Sequence, residues 1–405
     1  MLRHRHYQAI LPHPIQQRLP IHPVAVYLCF MEKMMQKNWW KILGVLLVLY
    51  GLVAGLLVPL KSNLVSVSPR VAELGQTVEL EVVGYNTSFG ADAGAVNAWL
   101  RAGEELSIVA ENVRVIDDRR AVLTFKLPPH LADPELDKQT FPLIINSPAD
   151  GAFVDPFGLT VRQEAPAATV AAAEAPWRVT ALKKGDLTAT PRTTFPYRGH
   201  LAETIRNIYF HVSLWFAMMF VFIAAMVYAI KYLRRSGKAS NELPDVVSLR
   251  DKADYWSVSF TGVGMLFGVL GLATGAVWAK YTWGSFWSWD IKQFTTLIAL
   301  MIYAGYFVLR ASFPDPEQRA RLGAAYNIFA FVCLIPLIYI LPRLSGNSLH
   351  PGAAGNPAFG GEDLDNTMRM VFYPIIIGWT LFGFWLSGVA YRARLLRERM
   401  LLKEE

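Results

Sequence analysis

Two hydrophobic patterns divide this chain. Apolar runs occupy about 40–60, 208–232, 257–278, 292–310, 324–342 and 371–393, and each reaches the roughly twenty residues that a helix needs to cross the hydrocarbon core of a bilayer. Between the first and second runs the period falls to two. Thr77-Val78-Glu79-Leu80-Glu81-Val82-Val83 alternates polar and apolar positions, and similar stretches lie at 105–116, 120–127 and 140–146, bounded by Gly, Pro and Asp. That alternation is the signature of half-buried antiparallel strands. The patterning predicts a polytopic α-helical membrane protein with six transmembrane helices and an inserted all-β domain. The predicted layout is a tail at 1–39, disordered at its start, a first transmembrane helix at 40–60 and a β-sandwich at 61–162. A linker follows at 163–206, then a five-helix membrane domain at 207–395 and a tail at 396–405. Within the linker, the Ala/Pro/Glu-rich stretch 164–176 reads as flexible.

Composition agrees with the pattern. With 405 residues, 53% of them hydrophobic and 18% charged, the chain is too apolar for an ordinary soluble protein. The formal net charge of +7 would suit nucleic acid only if the basic residues gathered with stacking aromatics, and they flank the apolar runs instead. Lys231, Arg234, Arg235, Lys238, Arg250 and Lys252 separate the second and third runs, Arg310, Arg319 and Arg321 the fourth and fifth. Arg392, Arg394, Arg397, Arg399 and Lys403 follow the sixth. The opposite short loops carry only Lys280 and Lys292, and Arg343 and Arg369. The positive-inside rule therefore predicts both termini in the cytoplasm and the β-domain outside. No charge stands in the middle of a run, which argues against an ion or solute transporter. Gly262, Gly264, Gly268, Gly271 and Gly275 in the third run read as close helix-packing positions.

Cysteines number two, Cys29 and Cys333, so neither a disulfide framework nor a thiolate metal site is expected, and any metal chemistry must use histidine. The start of the chain is rich in His, Pro and Arg and lacks helical periodicity, and Met31, Met34 and Met35 are alternative starts. His4, His6, His13 and His22 are discounted as ligands because a flexible tail does not preorganise a site.

The chemistry concentrates between the third and fourth runs. Trp283-Gly284-Ser285-Phe286-Trp287-Ser288-Trp289-Asp290 packs three tryptophans, a phenylalanine and an acid into one loop, denser than an interfacial belt requires. Trp39, Trp40, Trp177, Trp256 and Trp379 are assigned to that belt instead. His211 opens the second span and His350 lies between the fifth and sixth, both on the predicted outer side. A lone histidine at a helix end is more often a cap than a ligand, but two on the same side as a tryptophan cluster point to a metalloporphyrin held between two neutral imidazoles. Were 283–290 helical, Trp283, Phe286, Trp287 and Asp290 would share a face, with Trp289 to one side. Lys292 and Arg206 are the first choices for pairing with the carboxylates of such a guest, with snorkelling as their plainer role. Asp290 also reads as the N-cap of the fourth span.

These residues resemble the tryptophan-rich, WWD-type haem-handling proteins of cytochrome c maturation, whose signature is similar to W-G-x-W-W-x-W-D. Phe286 replaces one tryptophan, and Lys292 stands where the nearest members carry arginine. Arg206 through His211, Thr274-Gly275-Ala276-Val277-Trp278 and Leu349-His350 resemble the flanking regions. The layout is most similar to the CcmC group, while the local wording also resembles the CcsA group, whose members carry further histidines inside their spans. The resemblance implies a protein that is not an enzyme. It implies non-covalent, transient b-type haem in the inner membrane, bound at the outer face by Trp283, Gly284, Phe286, Trp287, Trp289, Asp290, Lys292 and Arg206, with His211 and His350 on the iron. It further implies delivery to a CcmE-like haem chaperone, alongside a CcmD-like small protein and a CcmA/CcmB ATPase complex. The inserted domain is outside that pattern. Its Val67-Ser68-Pro69 lead-in followed by Gly75-Gln76-Thr77-Val78 resembles immunoglobulin-like domains of the IPT/TIG variety. Two other readings stand beside this one: a CcsA-type haem export or synthase subunit, and a receptor or assembly scaffold that works through the β-domain.

Overall fold

The computed structural model describes residues 23–103, 106–129, 131, 136–163, 179–199, 201–235, 247–346, 348–350 and 364–404. Among them, six helices are long and apolar enough to cross a membrane, so the chain is a polytopic helical membrane protein with a separate β-rich unit. The expectations for His4, His6, His13, His22 and the flexible stretch 164–176 fall outside the described residues.

Helix α1 (Pro23–Leu57) starts well before residue 40. Pro23 provides a pre-set first helical position, and the following Met, Glu, Lys and Gln residues are good helix formers. The chain then enters strands β1 (Asn63–Ser68), β2 (Val71–Glu73), β3 (Thr77–Tyr85), β4 (Asn97–Arg101), β5 (Ser107–Val109), β6 (Asn112–Val115), β7 (Arg120–Lys126), β8 (Lys138–Ser147) and β9 (Gly151–Arg162). One sheet has the order β1-β3-β7-β6. The other runs β10-β5-β4-β8-β9-β2, where β10 (Val179–Thr180) comes from the segment expected to be linker. Alternation in β3 buries Val78, Leu80 and Val82, opposite Phe125, Leu123 and Ala121 of β7. These side chains share one core with Phe141, Leu143 and Ile145 of β8 and Leu159 and Val161 of β9, so the two sheets form a sandwich.

The expected linker is largely built into the fold after residue 178. Thr188 N–H donates to Asn146 Oδ1 at 2.8 Å, and Phe195 exchanges backbone hydrogen bonds with Pro59 and Lys61 beneath the sandwich. Tyr85 stacks on Tyr197 with centroids 4.8 Å apart and donates to Glu203. A 3-10 stretch over 202–209 then leads into helix α2 (His211–Arg235).

The remaining helices are α3 (Leu249–Trp283), α4 (Ile291–Ser312), α5 (Pro316–Ile335), the short α6 (Leu341–Leu344) and α7 (Asn366–Glu404). Glycines set the α2–α3 crossing. A Cβ on Gly264 would meet Phe222 at 2.5 Å, one on Gly268 Met218 at 3.2 Å, one on Gly271 Trp215 at 2.8 Å and one on Gly275 His211 at 2.5 Å. Rising numbers on α3 thus face falling numbers on α2, and the antiparallel pair delivers His211 beside the end of α3. Gly262 has nothing within 4 Å and takes no part in the crossing. Between α5 and α6, Pro336–Ile340 widens into a π turn, the kind of local expansion that redirects side chains at functional positions.

Candidate functional site

Where α2 begins and α3 ends, a cavity of about 380 Å³ opens, and both His211 and His350 line it. Its volume lies within the range of small-molecule sites. Apolar walls come from Ile205 and Ile208 of the 3-10 stretch, Trp215 and Phe216 of α2, Leu272 and Trp278 of α3, and Ile338 and Tyr339 of the π turn. Three cations, Arg198, Lys292 and Arg343, complete the lining with Trp287, Gln293 and Thr296.

His211 is fixed from every side. Its Nδ1 lies 2.9 Å from the Gly271 carbonyl. A carbonyl only accepts, so Nδ1 carries the proton and Nε2 keeps its lone pair. Trp215 and Trp278 meet the imidazole edge-on, at 6.1 and 5.8 Å between centroids. Trp278 is itself held by its Nε1–H donating to Thr204 Oγ1 at 3.2 Å. Only glycine at 275 leaves room for the ring.

His350 is held differently, by an acid. Helix α3 ends on Gly284, whose left-handed backbone (φ +83°) sends its N–H back to Lys280 O. Helix α4 starts on Asp290, which caps it by accepting from Lys292 N–H at 2.9 Å. The same carboxylate accepts from Leu349 N–H at 2.7 Å, Ser348 Oγ at 3.2 Å and His350 Nδ1 at 2.7 Å. Asp290 is thus the node that ties the loop before α7 to the tryptophan-rich loop. Burial raises its carboxyl pKa, but the His350 hydrogen bond and charge, with the Leu349 and Lys292 N–H groups, outweigh burial and hold it well below the usual carboxylate range. Trp283 meets the His350 ring edge-on at 4.9 Å.

The structure brings some of the expected residues together and separates others. His211, His350, Trp287 and Lys292 line one cavity. The shared helical face does not form, because only Trp283 is helical and the chain turns at Gly284 and again at Trp289 (φ +57°). The side chains therefore fan out. Phe286 (56% exposed) lies under Lys280 Nζ at 5.7 Å, and Trp289 (70% exposed) packs on Trp287 and Phe294. Neither lines the cavity, nor do Trp283, Gly284 or Asp290, whose places are behind His350 and at the helix ends. Arg206 is also outside it. Its guanidinium donates to the Gly55 and Val58 carbonyls at 2.9 and 2.6 Å and pairs with Glu203, satisfying acceptors that the end of α1 leaves open. Trp215, Trp278, Tyr339, Arg198 and Arg343 are the lining residues that sequence reasoning missed or ranked low. Trp215 stands four residues after His211 on the same helix face, a spacing that could have found it.

Residues 189–350, the span that holds both histidines and the loop between them, match the model of the cytochrome C assembly protein family. Over those residues the chain is similar to the cytochrome c assembly family. The family segment starts after β10 and stops at His350, so α1, the sandwich and α7 lie outside it. The chain is 31% identical over 146 residues to Heme exporter protein C of Haemophilus influenzae, covering 35% of this chain and 56% of the relative. It is 30% identical over 148 residues to Heme exporter protein C of Bradyrhizobium diazoefficiens, covering 36% and 55%. To Cytochrome c biogenesis protein CcsA of Heterosigma akashiwo it is 35% identical over 98 residues, covering 24% and 29%. The chain thus spans about half the length of the heme exporter relatives it matches.

Proposed function

We propose that this protein binds haem in the cavity between His211 and His350 at the outer face of the inner membrane and passes it to a periplasmic haem chaperone for cytochrome c maturation. The observation that carries this reading is the placement of two imidazoles, each with its Nδ1 engaged, on one apolar cavity with three cations in its lining. Both Nε2 lone pairs remain for a metal. Indole and aliphatic walls suit a porphyrin face, and Arg198, Lys292 and Arg343 suit two propionates. Among the described residues, no cysteine lines the cavity, and we read the binding as non-covalent, b-type and transient. The protein is a loading platform and not a catalyst of bond turnover.

The names of the relatives support haem as cargo. On this reading the CcmE-like chaperone receives the haem, with a CcmD-like small protein and a CcmA/CcmB ATPase complex as further partners and membrane lipid around the bundle. The basic helix ends, Arg234 and Arg235 of α2 and Arg310 of α4, support a cytoplasmic placement for the end opposite the cavity. The sandwich, which we read as immunoglobulin-like, is then extracytoplasmic, above the cavity. The CcsA-type alternative draws on the W-G-S-aromatic-W-S-W-D wording at 283–290 and on the CcsA matches. The spectrum of the purified full chain tests the main reading. A six-coordinate haem spectrum is expected, and it disappears in the His211→Ala, His350→Ala double variant. An unchanged spectrum in that variant contradicts the assignment.

A further inference from the structure

The two imidazoles are oriented by chemically different partners. His350 Nδ1 faces the Asp290 carboxylate at 2.7 Å, whereas His211 Nδ1 faces the neutral Gly271 carbonyl at 2.9 Å. That carbonyl is shared, because the Thr274 hydroxyl also reaches it at 3.1 Å. An anion accepting the Nδ1 proton pushes electron density towards Nε2 and makes the imidazole a stronger donor to a metal, more so for the oxidised ion. A shared neutral carbonyl does this far less. The Asp290 charge is spread over Lys292 N–H, Leu349 N–H and Ser348 as well, but it remains a full negative charge.

The settings of the two rings differ in the same direction. His211 is the first residue of a membrane helix, wedged against Gly275 and between Trp215 and Trp278, so it cannot follow a departing guest. His350 sits on a connection between helices, held to the bundle through Asp290 and Trp283.

We infer that the two axial ligands are unequal: His350, with Asp290 as its positioning residue, is the retaining ligand, and His211 is the one released first when haem leaves. This rests on the haem reading above and adds an order of events to it. Transfer begins with loss of the iron bond on the membrane side, leaving haem five-coordinate on the strand of chain nearest the tryptophan-rich loop. Asp290 touches neither the porphyrin nor the iron in this account, and acts only through His350.

Haemin titration and potentiometry of the detergent-purified full chain test the order. His211→Ala should retain haem in a five-coordinate form with a loss of about tenfold in affinity, whereas His350→Ala should lose at least about tenfold more. Asp290→Asn keeps the side-chain shape and the helix cap and should favour ferrous over ferric haem by about tenfold, a rise of about 59 mV for one electron. Asp290→Glu restores the charge and should bring the potential most of the way back, which mere loosening of the loop would not do. Equal losses in the two histidine variants, or an unmoved potential in Asp290→Asn with a six-coordinate wild type, overturn the inequality while leaving the haem reading intact. A six-coordinate spectrum that persists without both histidines overturns the haem reading itself.

Discussion

Among the described residues of the membrane domain, polar side chains gather near each end of α3, and the two groups are built on opposite principles. At the end where α3 begins, Asp254 takes the Arg310 guanidinium through paired hydrogen bonds of 2.7 and 2.8 Å. Tyr306 lies against that guanidinium, and Asn327 donates to Thr261 Oγ1 at 2.6 Å in the same layer. A Cβ on Gly323 would press on Arg310 Nη1 at 2.7 Å, so no space is left there. Towards the other end, where Gly275, 21 residues after Asp254 and so about 30 Å along the helix, faces His211, two imidazoles and three cations stand in the lining of a largely apolar cavity. Charges packed against each other act as a staple; charges and lone pairs around a space specify a guest. Sequence reading, which found no charge in the middle of a span, missed the first cluster because α3 and α4 extend past the apolar runs to Leu249 and Ser312.

Breaking the staple should have the largest effect on stability. Asp254→Ala strands a buried guanidinium and is expected to cost about 3–5 kcal/mol, read as a large drop in thermal midpoint in detergent, with haem affinity at low temperature little changed. A comparable affinity loss without loss of stability would merge the two clusters into one functional unit. Arg206→Gln removes the bonds to Gly55 and Val58 and should cost about 1–3 kcal/mol of stability, with affinity within about twofold of wild type; a selective affinity loss would return Arg206 to the site. Trp287→Ala should weaken haem binding about tenfold, equivalent to about 1.4 kcal/mol, whereas Trp289→Ala should change it less than about threefold. Equal losses would mean that the exposed rings hold the porphyrin. Smallest of all, Gly262→Ala meets open space and should stabilise α3 by about 0.5–1 kcal/mol, while Gly275→Ala, against His211, should destabilise by about 1–3 kcal/mol.

The transmembrane layout was legible because lipid imposes a length and composition that a linear pattern displays directly. The β3 alternation was equally readable, since Val78, Leu80 and Val82 point inward as their spacing demands. Strand β9 was missed because Pro156 and Gly158 interrupt its pattern. At the site, the sequence pointed to His211, His350, Trp287 and Lys292 as neighbours, because charge asymmetry puts all three connections on one side. It did not reveal that Trp289 turns outward, which depends on one backbone torsion, or that Arg206 is spent on the end of α1, which depends on a helix some 150 residues away. Asp290 was legible as a cap, but its grip on His350 joins loops distant in sequence and emerges only from tertiary packing.

The central claim is that one iron porphyrin lies in the cavity between His211 and His350. Electron cryomicroscopy of the haem-loaded full chain tests it most directly. The account predicts a disc inside the cavity, bordered by Trp215, Trp278 and Trp287, with its iron bonded to both Nε2 atoms. A disc lying on the exposed Phe286 and Trp289 surface, with both imidazoles free of iron, would contradict it.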